Sequence, residues 1–250
     1  MSIGKRTSLT IGLAVTSLAC ASLAHAEQSP AWDWSLEPYV WAAGLDTQVA
    51  APAMGVSVEQ ELNFKDVSEI LQGALMVRME GRGDHLGVQA NFNYFGLGKT
   101  KVRNGLRTRT DVDARVLDLV ATWRPGEERD RGVDFHVGMR YIDADVSAAA
   151  MPTAAGAASR VLDLDKQFAD LLMGARVTLP LSHRWSASLQ ADASSGQTRG
   201  TWSASLLAQY RMAHGAWTVG YQHLDMKLGQ NVVDAHVVLS GPQLGYSFSF

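Results

Sequence analysis

From Trp34 to Phe250 apolar and polar residues alternate with a period of two almost everywhere, and after residue 26 no apolar run approaches the ~20 residues a membrane-spanning helix needs. The clearest case sets Leu86, Val88, Ala90, Phe92 and Tyr94 on one face against Gly87, Gln89, Asn91 and Asn93 on the other. The same pattern recurs over Trp185–Ala193 and Thr201–Arg211. Strands with one apolar and one polar face form a sandwich or a closed barrel, and only the closed barrel can satisfy every backbone group inside a lipid bilayer.

The N-terminus bears on which of these applies. Lys5 and Arg6 precede an apolar stretch from Leu9 to Leu23, followed by Ala24-His25-Ala26. This is the order of a secretory signal peptide with cleavage after Ala26. A lipoprotein signal ending at Cys20 is the alternative, and it is disfavoured by Ser17 three residues earlier. Cleavage after Ala26 removes the single cysteine, so thiol chemistry and cysteine metal ligands drop out. The whole chain has 22 basic and 25 acidic residues, and losing Lys5 and Arg6 takes the net charge to −5. An acidic chain has no global attraction for nucleic acid.

Ten strands follow from the alternation: Trp34–Val49, Gly73–Arg82, Leu86–Leu97, Asp111–Arg124, Val133–Val146, Phe168–Leu179, Trp185–Ala193, Thr201–Arg211, Ala216–Lys227 and Ala235–Phe250. Eight is the rival count, reached if weak strands merge. Short turns alternate with longer links at Ala50–Gln72, Gly98–Thr110, Ser147–Lys166 and Ser194–Gly200, as in an outer-membrane barrel with short periplasmic turns. Trp34, Trp123, Trp185, Tyr210, Trp217 and Phe250 share the apolar parity at the short-turn end. Tyr94, Tyr141 and Trp202 lie some eight residues higher, roughly 20 Å of height for tilted strands. Two aromatic levels bounding an apolar band predict an all-β, up-and-down transmembrane barrel over residues 27–250. Phe64 to Leu71 is expected to form a turn or two of helix, with Phe64, Val67, Ile70 and Leu71 on one side.

Several short stretches resemble a family of bacterial outer-membrane β-barrel proteins of mostly unassigned function, grouped loosely with opacity-type surface antigens. They are Pro38-Tyr39-Val40-Trp41-Ala42-Ala43-Gly44, Gly138-Met139-Arg140-Tyr141, Gly174-Ala175-Arg176, Tyr221-Gln222-His223-Leu224-Asp225 and Ser240-Gly241-Pro242. Val177 and His223 depart from the aromatic residues usual at those places. The resemblance implies a barrel and no reaction. The alternation Leu244, Tyr246, Phe248, Phe250 resembles the C-terminal signal read by the barrel-assembly machinery, with Tyr246, Phe248 and Phe250 as its residues.

On the polar parity stand Glu37, Arg78, Glu80, Asp118, Arg140, Asp170, Arg176 and Asp192. Both signs facing one lumen predict a side-chain plug, with Gly138 and Gly174 making room for the guanidinium groups of Arg140 and Arg176. On this view Arg140→Ala raises conductance. The competing expectation is a charged constriction in a narrow, porin-like channel for small solutes. Lys99, Lys101, Arg103, Arg107 and Arg109 form a basic cluster suited to the phosphates of lipopolysaccharide, the partner expected beside the outer-membrane lipids.

Asp134 with His136, His223 with Asp225, and Asp234 with His236 are candidate base-and-orienter pairs. Asp111, Asp113, Asp234 and His236 are similar in type to the site of omptin proteases. D-x-D and D-x-H are short enough to arise by chance, and no catalytic residue, cofactor or metal is assigned. A non-enzymatic surface protein, structural or binding through its loops, is the favoured expectation.

Overall fold

The computed structural model describes residues 32–51, 56–103, 106–126, 128, 131–152, 160–230 and 233–250; the expected signal peptide lies outside them. β1 (Asp33–Trp41) pairs on one side with β4 (Leu71–Arg82) and on the other with β12 (Val233–Ser249). From β4 the wall runs in chain order through β5 (Leu86–Arg103), β6 (Leu106–Trp123), β7 (Gly132–Pro152), β8 (Arg160–Pro180), β9 (Trp185–Gly196), β10 (Thr201–Met212) and β11 (Gly215–Gln230) to β12. All neighbours are antiparallel, and the result is a closed ten-stranded barrel with two extra strands.

The extra strands correct the expected first strand, Trp34–Val49. It breaks after Trp41 and resumes as β2 (Gly44–Ala51), which continues along β12 and pairs outward with β3 (Val56–Leu62). Pro38 is the last β1 residue paired with β4, and having no N–H it cannot extend that ladder as a donor. Beyond it the Trp41 N–H meets Met76 Sδ at 3.2 Å, and the Ala42 N–H donates to the Pro242 carbonyl at 2.8 Å. The helix α1 (Phe64–Ile70) then leads into β4. Its start is fixed by a reciprocal cap: the Asp66 N–H donates to Asn63 Oδ1 and the Asn63 N–H to Asp66 Oδ2. Of the four apolar residues expected on one side, Val67 is buried, Phe64 and Leu71 are exposed, and Leu71 belongs to β4.

Two links expected as loops are strand over their described residues. The β5–β6 ladder runs unbroken from Leu86 opposite Trp123 to Arg103 opposite Leu106, and β7–β8 stays paired up to Ala150 opposite Arg160. Ladder hydrogen bonds are made by the backbone, so pairing persists where the alternation of the sequence fades.

Outward, Val40, Leu75, Met79, Leu119, Met139, Leu171, Leu189, Leu206 and Val219 are exposed, an apolar surface on all sides of the barrel. At the short-turn end aromatic residues meet across strands: Trp123 stacks on Phe135 at 6.0 Å, Trp185 lies 5.0 Å from Tyr210, and Trp217 lies 5.1 Å from Tyr246. Inward, the long-hairpin half holds an apolar cluster of Trp41, Met76, Phe95, Val116, Ile142, Phe168, Leu224 and Met226. The short-turn half is charged.

Candidate functional site

The charged half is organised around two arginines on adjacent strands. Arg140 on β7 is almost wholly buried, at 2% exposed. Its Nε and Nη2 donate to Asp118 Oδ1 and Oδ2 on β6 at 2.7 and 2.9 Å, a bidentate pair between directly opposite residues. Nη2 also reaches Asp192 Oδ1 on β9 at 2.8 Å, and Nη1 reaches Thr201 Oγ1 at 2.9 Å. Ser203 donates to the same Asp192 oxygen at 2.8 Å.

Arg176 on β8 forms the second centre. It donates to Glu80 Oε1 at 2.5 Å and to Asp134 Oδ2 at 2.7 Å. Arg124 closes on Asp134 from the other side, Nε to Oδ1 at 2.5 Å and Nη2 to Oδ2 at 2.9 Å, while Arg82 holds Glu80 at 2.8 Å. Arg78 pairs with Glu37 at 3.2 Å, and its guanidinium lies 5.1 Å from the Tyr39 ring. The Tyr39 hydroxyl donates to Asn93 Oδ1 at 2.6 Å.

Asp170 has a different role from the one expected of a lumen ion pair. It takes the backbone N–H groups of Gln197 and Thr198 at 2.8 and 3.0 Å, Ser194 Oγ at 3.1 Å and the Thr198 hydroxyl. It therefore anchors the β9–β10 link to the wall. Arg124, Asp134 and Arg82, central to the second cluster, were absent from the sequence-derived set. Asp134 shares the inward parity of Arg140 three paired steps along β7, a sequence signal that places it in the lumen.

The glycines make room for backbone rather than for guanidinium groups, which corrects the expectation for Gly138 and Gly174. A Cβ on Gly138 would lie 1.9 Å from the Leu119 carbonyl oxygen of β6. One on Gly174 would lie 2.3 Å from the Ala191 oxygen of β9 and 2.5 Å from His136 Nε2.

The candidate protease residues do not converge. Asp111 and Asp113 share the outward parity of Leu119 and Trp123 on β6; Gln72 Nε2 donates to Asp111 at 3.2 Å and the Tyr94 hydroxyl to Asp113 at 2.7 Å. His236, outward on β12 and four strands away, meets Asp225 Oδ1 at 2.9 Å. The side chain of Asp234 lies outside the described residues. His223 packs against Trp202 with centroids 4.6 Å apart, and Asp134 with His136 is buried inside. On the outer ends of β7 and β8, Asp143, Asp145 and Asp165 bring carboxylates within 4.8 Å of one another, and Arg115 engages Asp143 at 2.8 Å and Asp145 at 3.2 Å.

Lys99, Lys101 and Arg103 on β5 stand opposite Thr110, Thr108 and Leu106 in the hairpin register, and Arg107 and Arg109 on β6 opposite Val102 and Thr100, so the two sets belong to opposite parities of one hairpin and not to a single facing cluster; their side chains lie outside the described residues. Tyr246 and Phe248 point outward on β12 with rings 4.8 Å apart, and the Phe250 N–H donates to the Trp34 carbonyl at 3.0 Å, joining the chain end to β1.

Fold and interior together define a closed antiparallel β-barrel with an ion-pair network in the short-turn half of its interior and an apolar cluster in the other half. No known family and no curated protein matches the chain. Among solved structures it is similar to the outer membrane protease OmpT from Escherichia coli, with 9% identity over 89% of this chain and 98% of that one and a TM-score of 0.45. It is also similar to Ail, the attachment invasion locus protein of Yersinia pestis, with 10% identity over 87% and 98% of the two chains and a TM-score of 0.39. A third likeness is to Neisserial surface protein A, at 8% identity over 88% and 97% and a TM-score of 0.29.

Proposed function

We propose that this chain is an exported bacterial outer-membrane barrel, closed to solute flow, that acts as a structural or surface-binding protein through its long hairpins and not as an enzyme. The observation that carries the reading is the filled interior: Arg140 and Arg176 are each held by two carboxylates, and an apolar cluster packs behind them. With the interior committed to its own contacts, the hairpin ends are left as the part that can meet a partner. Membrane insertion is supported by the apolar exterior and the aromatic pairs at the short-turn end, since exposed Trp and Leu on every side have no other solvent to match.

The basic hairpin, with Lys99, Lys101, Arg103, Arg107 and Arg109, is the proposed contact for lipopolysaccharide phosphates, and Tyr246 to Phe250 the element read by the assembly machinery. Signal cleavage after Ala26 belongs to the same reading. Refolded barrel in vesicles with and without lipopolysaccharide tests the partner. Binding of free lipopolysaccharide that weakens with added salt and is reduced when the five cations are replaced by Gln is the expected result. Equal binding by the neutralised hairpin would overturn it.

A further inference from the structure

The charged and apolar halves of the interior do not meet in a seamless contact. Between them lies a cavity of about 30 Å³, with Asp118, Gln190 and Asp192 on its polar wall and Leu172 and Leu224 on its apolar wall. Two atoms of the residues lining it have no hydrogen-bond partner among the described residues: Nε2 of His136 on β7 and Oε1 of Gln222 on β11. Both side chains are more than nine-tenths buried, 6% and 8% exposed, and their strands stand four places apart around the wall. Buried polar atoms in folded proteins nearly always have a partner, so two bare ones around a single cavity call for a shared explanation.

We propose that this cavity is an internal hydration site holding about two water molecules, one bonded to His136 Nε2 and one to Gln222 Oε1, bridging β7 to β11. The volume suits it, because a water occupies roughly 10–15 Å³ on this measure and needs two or more polar partners. Water also suits the chemistry: Gln222 Oε1 accepts only, while His136 Nε2 donates or accepts according to its tautomer, and a water molecule serves either.

The alternatives fit less well. A cation would have to compete with Arg140, which already takes both oxygens of Asp118 and shares Asp192 Oδ1 with Ser203. An apolar guest would leave both bare atoms unpaired. The Asp118–Arg140–Asp192 triad carries one negative charge in excess, and water dipoles beside it solvate that charge without displacing the arginine.

A crystal structure of the whole barrel in detergent, at a resolution that shows ordered water, is the test. Two density peaks within hydrogen-bond distance of His136 Nε2 and Gln222 Oε1 are expected. An empty cavity would overturn the proposal, and so would a peak that gives an anomalous signal after growth in rubidium chloride, which would mark a cation site. Gln222→Met keeps the side-chain length and removes the acceptor. It should abolish the peak at position 222, keep the one at His136 and lower the melting temperature. A higher melting temperature would mean that the amide oxygen is bare in the native protein and the cavity dry. The native structure decides by itself if that variant does not fold.

Discussion

Arg176 Nη2 meets Glu80 Oε1 at 2.5 Å although their strands, β8 and β4, lie four places apart around the barrel wall. The pair therefore crosses the lumen instead of running along the wall. Arg140 makes a shorter crossing, from β7 over β8 to Asp192 on β9.

The two arginines differ in what their loss leaves behind. Without Arg176, Glu80 keeps Arg82 and Asp134 keeps Arg124. Without Arg140, Asp118 has no other arginine among the described residues, and Asp192 keeps only the Ser203 hydroxyl. Breaking a buried pair by removing one partner costs about 3–5 kcal/mol, whereas losing charged hydrogen bonds with compensation in place costs about 1.5–3 kcal/mol. Arg140→Ala should therefore destabilise more than Arg176→Ala, as read by urea unfolding of refolded barrel in detergent. The reverse order would mean that the second centre, not the first, holds the interior.

Gly138 is required by a neighbouring strand, not by its own turn. Gly138→Ala would press a methyl into the Leu119 carbonyl at 1.9 Å, and relief means separating β6 from β7. A loss of several kcal/mol or failure to refold is expected, scored by the heat-modified mobility of folded barrel on gels. Gly73→Ala, whose Cβ would meet only the Tyr94 ring at 3.8 Å, is the control and should fold normally. Normal folding of both variants would contradict this packing.

The alternation of period two is what makes the barrel legible, because an exposed apolar face and an inward face rich in polar residues alternate along each strand. It assigns Glu80 and Arg176 a parity and says nothing of which residues meet across the lumen. That depends on closure and stagger, which are properties of the whole wall. The break after Trp41 was hidden for a related reason: β2 keeps the rhythm of β1 while exchanging β4 for β3 as its partner. The ends of β5 to β8 were hidden because pairing outlasts alternation once the strands leave the apolar band. The role of Asp170 was hidden because a carboxylate holding backbone N–H groups has no cation at a readable spacing.

Orientation follows from the unequal links: both termini and the short turns are expected on the periplasmic side, the β5–β6 hairpin outside. Single cysteines at Asn104 and Glu127, treated on intact cells with an impermeant thiol reagent, check this. Labelling at position 104 and not at 127 is expected. The opposite pattern would reverse the orientation.

A closed interior passes no steady ionic current. The apolar cluster that includes Val116, Ile142, Phe168 and Leu224 is built from residues outside the arginine network, so removal of an arginine is expected to leave it in place. This revises the expectation drawn from sequence that Arg140→Ala opens the barrel: the variant should melt earlier yet stay nearly silent. In a planar bilayer the native protein should show only small, rare openings, and Arg140→Ala should add no steady current. A large, steady conductance from the native protein would contradict the closed interior and make this barrel a channel.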